Sequence, residues 1–334
     1  MIAVLLSLLG AVGAVLAATM LALFAARLSG SRMRPASFLL SAVLGAAVVT
    51  LCWATGVTGV PAPFLAPVIG LGVFFATAVT VPQRAAGHGL VRTGVFAALV
   101  TALVFVPGVI LVWALWYDPF VTGIGYLDFG AALPAGVAAG SAVLAVLLLE
   151  RHRTAVQQSP SRGWSIFWPM LLLWAGWIGL LVSLELSIDR LTPTILANAL
   201  IMPVAGAVAV SLVERARERT NSFTGVALGF LAGSVAATAS AGYVIPLLGA
   251  LIGLLAGAFS SLLPRIPLTR LAGTLLVPGG VSLVFLGFLA KDVGFIYTGQ
   301  PELLFNQALT VVLGAAVGFV LALAAWSVVR IGRH

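Results

Sequence analysis

An all-α polytopic membrane fold with eleven transmembrane helices is what this chain predicts. Three observations predict it: an excess of apolar residues, the spacing of long apolar runs, and a one-sided distribution of Lys and Arg. Hydrophobic residues make up 61% of the 334 and charged residues only 8%, whereas soluble domains carry about a quarter charged residues. The formal charge of +8 would suit nucleic acid only if Lys and Arg clustered on a solvated face. Here they sit in short segments between apolar runs, so the expected partner is the lipid bilayer and nucleic acid is excluded.

A spanning helix needs about 20 mostly apolar residues. Eleven runs bounded by charge, Pro or Gly meet that need: 2–26, 36–57, 62–81, 90–116, 127–149, 166–187, 192–213, 223–243, 245–263, 268–290 and 303–329. The first has no basic stretch before it and is too long for the apolar core of a secretory signal. It reads as a helix, with cleavage as the alternative. The fourth ends in Trp113, Trp116 and Tyr117, aromatic residues suited to a membrane interface. The fifth opens at Asp128 and contains Pro134, which removes a backbone bond and kinks a helix. In the eighth and ninth, "GFLAG" (229–233) and "GALIGLLAG" (249–257) are small-residue motifs of the kind that let helices pack closely.

Positive charge then orients the bundle, because short cytoplasmic loops collect Lys and Arg. Of the 17 basic residues, 15 follow odd-numbered helices; only Arg190 and Lys291 fall on the other side. This predicts a multi-pass protein of the cell membrane with its N-terminus outside and its C-terminus cytoplasmic. It also predicts that helices six to ten run opposite to helices one to five, as in inverted-repeat folds. The expected organisation is one membrane domain, 1–334, comprising a first repeat (1–149), a second repeat (166–290) and an eleventh helix (303–329).

Chemistry-bearing residues are sparse. Cys52 is the only cysteine, which excludes internal disulfides and cysteine zinc clusters. No phosphate loop, metal-ligand cluster or catalytic triad is legible, so neither an enzyme nor a cofactor is expected. Asp128 stands out, since an ionisable group beside a membrane helix is by default a functional residue. Its alternative role is to cap the fifth helix by accepting orphan N–H bonds.

The order and spacing of several segments resemble the ammonium transporter family (Amt, Mep and Rh proteins). They are "LVFVPGVILVWALW" (103–116) followed by "LDFGAALPAGVAAG" (127–140), "LLWAGWIGLL" (172–181), "LAGSVAATASAGYVIPLLGALIGLLAG" (231–257), "VPGGVSLVFLGFLA" (277–290), and Gln307 in the eleventh helix. The resemblance implies a homotrimer that moves ammonium/ammonia or another small solute through one pore per subunit. Its outer recruitment site would map onto Trp113, on Phe75 or its neighbour Phe74, and on Asp128 as the group that orients the site. The family's serine aligns with Leu184, with Ser183 as a substitute one residue away, and its second gating phenylalanine aligns with Leu180.

The pore centre departs from the family. Two facing histidines there bind the deprotonated substrate and relay its proton, a task that suits imidazole because its pKa lies near neutrality. Here those positions align with Gly136 and Leu275, and the three histidines, His88, His152 and His334, all fall in expected cytoplasmic segments. The expectation is therefore transport without a histidine relay, past a drier and more apolar centre. The alternative is a non-conducting relative that serves as a sensor, scaffold or subunit of a membrane complex. The terminal "RIGRH" is too short to resemble the family's regulatory tail.

Overall fold

A computed structural model describes residues 1–31, 34–114, 125–154, 163–218, 222–264 and 266–331. The described residues form an all-helical bundle: α1 (Ile2–Ser29), α2 (Pro35–Ala54), α3 (Ala62–Val79), α4 (Leu90–Val112), α5 (Leu133–Glu150), α6 (Trp164–Ser183), α7 (Thr192–Glu218), α8 (Phe223–Ser240), α9 (Pro246–Ser261), α10 (Pro267–Leu289) and α11 (Glu302–Ile331). Ten of these are long and apolar enough to cross a membrane. The remaining one, α9, has 16 residues and is about 24 Å long at 1.5 Å per residue. Pro246 at its start and the turn after Ser261 shorten it relative to the expected 245–263.

The bundle is assembled through backbone contact rather than interlocking large side chains. A methyl group on Gly13 of α1 would collide with the Gly176 carbonyl of α6, and one on Gly176 would collide with Gly13 in return. The same reciprocity joins Gly206 of α7 to Gly229 of α8. A methyl group on Gly257 of α9 would strike the Gly206 carbonyl as well, so three helices converge on one residue. Both small-residue motifs of the eighth and ninth runs thus lie on packing seams. In hydrocarbon, where burying an apolar side chain gains nothing over lipid, such close approach is what holds helices together.

Two departures from the sequence expectation bear on the site. Residues 127–131 do not continue α5. They form an irregular strap that turns at Phe129 and Gly130 and ends at Ala131 in left-handed geometry (φ 64°), and the helix starts beyond it. In addition, Thr101–Phe105, Ile110–Ala114 and Leu133–Ala138 wind as wider π turns. Pro107 and Pro134 sit among these turns and cannot supply a backbone N–H. Pro134 packs on α4, where a methyl on Gly108 would come within 2.8 Å of its Cβ. Between α4, α5 and α11 lies a 360 Å³ cavity lined by Pro107, Gly108, Leu111, Pro134, Thr310 and Gly314, among others.

Replacing Gly206 by Leu should separate α7 from both α8 and α9. The expected result is an apparent unfolding temperature in detergent well below that of the wild type. Leu substituted at Gly89, where nothing lies within 4 Å of a new Cβ and φ is −69°, should shift it far less.

Candidate functional site

The strap before α5 is tied on three sides. Gln307 Nε2 of α11 donates to the Leu127 carbonyl at 2.7 Å. On the opposite side the Phe129 and Gly130 N–H groups donate to the Ala239 and Thr238 carbonyls at 3.0 and 2.7 Å. These two bonds satisfy acceptors in the last turn of α8 that the helix cannot satisfy itself. The Phe129 ring meets Tyr243 edge-on, with centroids 6.0 Å apart.

Asp128 closes the strap onto the helix. Its Oδ1 accepts the Ala132 N–H at 2.7 Å, and its Oδ2 accepts the Leu133 N–H at 2.8 Å and the Tyr126 hydroxyl at 3.0 Å. The side chain is buried, with 2% of the residue exposed. The geometry is a cap: a carboxylate at the positive end of a helix dipole, holding orphan donors. The carboxylate is almost wholly enclosed, so its influence on its surroundings is positional and electrostatic.

Beneath the strap an aromatic pair spans α3 and α6. Phe74 and Trp177 have ring centroids 4.7 Å apart, and Trp177 Nε1 donates to Thr238 Oγ1 at 2.8 Å. Of the two candidate phenylalanines, Phe74 makes this contact. Phe75 turns toward Phe105 of α4, at 5.3 Å, because adjacent residues on a helix point about 100° apart. Ser183 is fully buried and donates to the Leu180 carbonyl at 2.6 Å. Its oxygen occupies the space that a methyl on Gly10 of α1 would need, so it faces α1 rather than the aromatic pair. The backbone of Trp113 belongs to the second of these π turns, at the end of α4, and its side chain lies outside the described residues, as do Trp116, Tyr117 and Asp118.

One helical turn below Thr238, Val235 of α8 leads to the centre. A methyl placed on Gly136 would lie 3.2 Å from Val235 Cγ1 and 3.3 Å from the Leu275 carbonyl oxygen. The fold therefore brings together Gly136 and Leu275, two positions 139 apart in the chain. One turn further along, a methyl on Gly140 would come within 2.5 Å of the Leu276 amide nitrogen. At this level α5 and α10 are in backbone contact. Leu275 and Val235 are buried and apolar.

The end of the bundle beyond the strap is acidic. Glu185 accepts from Thr192 Oγ1 at 2.6 Å, and burial raises its pKa. The Leu191 N–H, 2.7 Å from Asp189 Oδ1, holds Asp189 below its ordinary value. Arg190 and Lys291, the two basic residues away from the basic end, border a single cavity of 690 Å³ together with Asp189 and Asp292.

Sequence reasoning did not identify Trp177 and Thr238 as a pair. The Trp- and Gly-rich stretch around 174–179 signalled helix packing, whereas nothing in "VAATASAG" distinguishes Thr238 from its neighbours. The described residues hold no group of three or more His, Cys, Asp or Glu side chains able to ligate a metal.

Comparison with known proteins places this architecture. The profile of the Ammonium Transporter Family matches residues 37–331. An ammonium transporter of Bacillus subtilis (strain 168) is 30% identical over 164 residues, a stretch covering 49% of this chain and 40% of that protein. The match thus spans less than half the length of that relative. Among solved structures, the chain is similar to Saccharomyces cerevisiae Mep2 with a TM-score of 0.79, 17% identity, and coverage of 96% of this chain and 86% of the other. It is similar to a protein titled "Sensor Amt Protein" with a TM-score of 0.82, 16% identity, and coverage of 99% and 94%. At these identities the likeness is one of fold.

Asp128→Ala should remove three hydrogen bonds to a carboxylate and leave Tyr126 OH and two N–H groups buried. A destabilisation of about 2–4 kcal/mol is expected, seen as a lowered unfolding temperature in detergent. Asp128→Asn keeps one acceptor oxygen and should lose less. Gly140→Val should push α5 off α10 and destabilise by about 1–3 kcal/mol through overpacking, by the same measurement.

Proposed function

The chain belongs to the ammonium transporter family, and from that premise we propose that it is a membrane channel or transporter for ammonium/ammonia, or a similarly small solute, that works without a histidine relay. The observation that carries this reading is the meeting of Gly136 and Leu275 beneath the Phe74–Trp177 pair. The two positions stand opposite one another, and neither side chain can bind or release a proton. A solute passing there would do so as a neutral species, since a dry apolar constriction excludes ions while a small neutral molecule pays little to enter it.

On this reading Asp128 braces the outer end of α5, and the acidic residues at the outer end of the bundle, Glu185, Asp189 and Asp292, raise the local concentration of cations. Trp113 at the end of α4 would hold an arriving cation against its ring face, worth about 1 kcal/mol. With Ser183 turned toward α1, Phe74 and Trp177 supply the rest of the entrance. The basic end is cytoplasmic and the N-terminus external. The contacts of α1 with α6 and of α5 with α10 support two inverted five-helix halves, with α11 set against α5 and α10. The working unit is a homotrimer in the cell membrane.

A second reading, that of a non-conducting sensor, scaffold or complex subunit, is favoured by one observation: α5 and α10 touch backbone to backbone at Gly140 and Leu276. The two readings separate in liposomes containing the purified protein and given an ammonium gradient. Transport predicts internal alkalinisation or acidification faster than in empty liposomes, with little electrical current. A folded protein giving no signal above empty liposomes would remove the transport reading and leave the second.

A further inference from the structure

Of the ten long helices, α11 is the least enclosed by the rest of the bundle. It packs against α5, α10 and the inner part of α4, Leu90–Phe105. Between α11 and the outer part of α4, from Val104 to Leu111, lies the 360 Å³ cavity, with Leu133, Pro134 and Ala138 of α5 as its floor. The floor touches each wall at a glycine. A methyl on Gly108 would come within 2.8 Å of Pro134 Cβ, and one on Gly314 within 2.5 Å of Leu133 Cδ1. The space beside these two contacts stays unfilled, because α4 and α5 both widen into π turns here and the facing residues are small.

The cavity opens sideways rather than toward either end of the bundle. Leu309, Leu313 and Val317 of α11 line it and are 44%, 53% and 46% exposed. Their four-residue spacing places them in one stripe along the helix, which forms the lip of a crevice. Around a membrane-spanning helix the medium beyond such a lip is hydrocarbon. Atoms lining an empty crevice would lose contacts on one side, so filling it is favourable.

Its shape selects what fills it. From Asn306 to Val317 the crevice follows 11 positions of α11, about 16 Å at 1.5 Å per residue. That is the depth of one leaflet, half of a hydrocarbon core about 30 Å thick. Spread over this length, 360 Å³ gives a channel about 5 Å across, whereas a helix with its side chains is about 10 Å across. A helix of another chain therefore does not fit, and a single hydrocarbon chain does. Among the described lining residues only Asn306 and Thr310 are polar, and both lie at the strap end. Thr310 Oγ1 is bonded to the Asn306 carbonyl at 2.7 Å, which leaves the Asn306 amide to set the polar end of the crevice.

We propose that the crevice between α4, α5 and α11 binds one acyl chain of a phospholipid from the leaflet at the strap end, with the ester at the level of Asn306 and the tail against Leu133, Pro134 and Ala138. Packing and lipid entropy, rather than the hydrophobic effect, hold a chain in such a site. The bound tail backs the turn of α5 that carries Gly136, whose other side meets Val235 and Leu275. The lipid thereby supports the α5–α10 contact from behind. This inference does not depend on whether the pore conducts.

The test reconstitutes the full chain in vesicles of phosphatidylcholine and phosphatidylglycerol doped with a phosphatidylcholine that carries a diazirine at mid-chain. Irradiation is followed by mapping of the adducts by mass spectrometry. Leu133–Ala138 is buried throughout and meets lipid only where a chain enters the crevice, so adducts on this segment are the expected result. Thr310→Trp fills the crevice and should reduce them several-fold, while adducts on the exposed Leu39 and Val43 of α2 stay unchanged. Should Thr310→Trp fail to fold, Leu309→Trp decides, since Leu309 is partly exposed and its replacement disturbs little packing. Absence of adducts on Leu133–Ala138 in the wild type, or adducts undiminished in the deciding variant, overturns the proposal.

Discussion

Helices in hydrocarbon gain nothing by hiding leucine from leucine, so everything in this bundle depends on how closely their backbones approach. The reciprocal glycine contacts, Gly13 with Gly176 and Gly206 with Gly229, set those distances. They place α6 where Trp177 reaches Phe74, and α8 where its last turn receives the strap before α5. The same rule governs the centre. Because positions 136 and 140 are both glycine, α5 lies directly on α10.

The strap shows how polar groups are handled when no water competes for them. An interrupted helix exposes N–H and C=O groups, each costing several kcal/mol if left bare in an apolar surrounding. Here Asp128 collects the free donors of α5, the Phe129 and Gly130 amides fill acceptors at the end of α8, and Gln307 takes the Leu127 carbonyl. One carboxylate thereby fixes the position of the first turn of α5.

At the opposite end the charges are economically placed. Glu150 and Glu214 each hold a cation from a distant helix, so α5 is tied to α11 and the segment before α4, and α7 is tied to α10. Such pairs stabilise only when both members are present, since either alone is a buried charge.

Much of this was legible from the chain alone. Apolar run length and the positions of 15 Arg residues carry the all-α membrane class, and the ten long spans with the shorter α9 match the eleven runs closely, because a bilayer imposes length on every helix alike. The family resemblance and the role of Asp128 as a cap were also readable, since helix starts obey local rules. What the sequence did not hold was direction and distance across the bundle. Whether Phe74 or Phe75 meets Trp177, whether Ser183 looks toward α1, and that residues 127–131 leave the helix to bond with α8 all depend on rotations and spacings set by glycine contacts between segments far apart in the chain. The pairing of Glu214 with Arg270, 56 positions away in the chain, belongs to the same class. A sequence counts charges, but only the tertiary structure decides which of them find a partner.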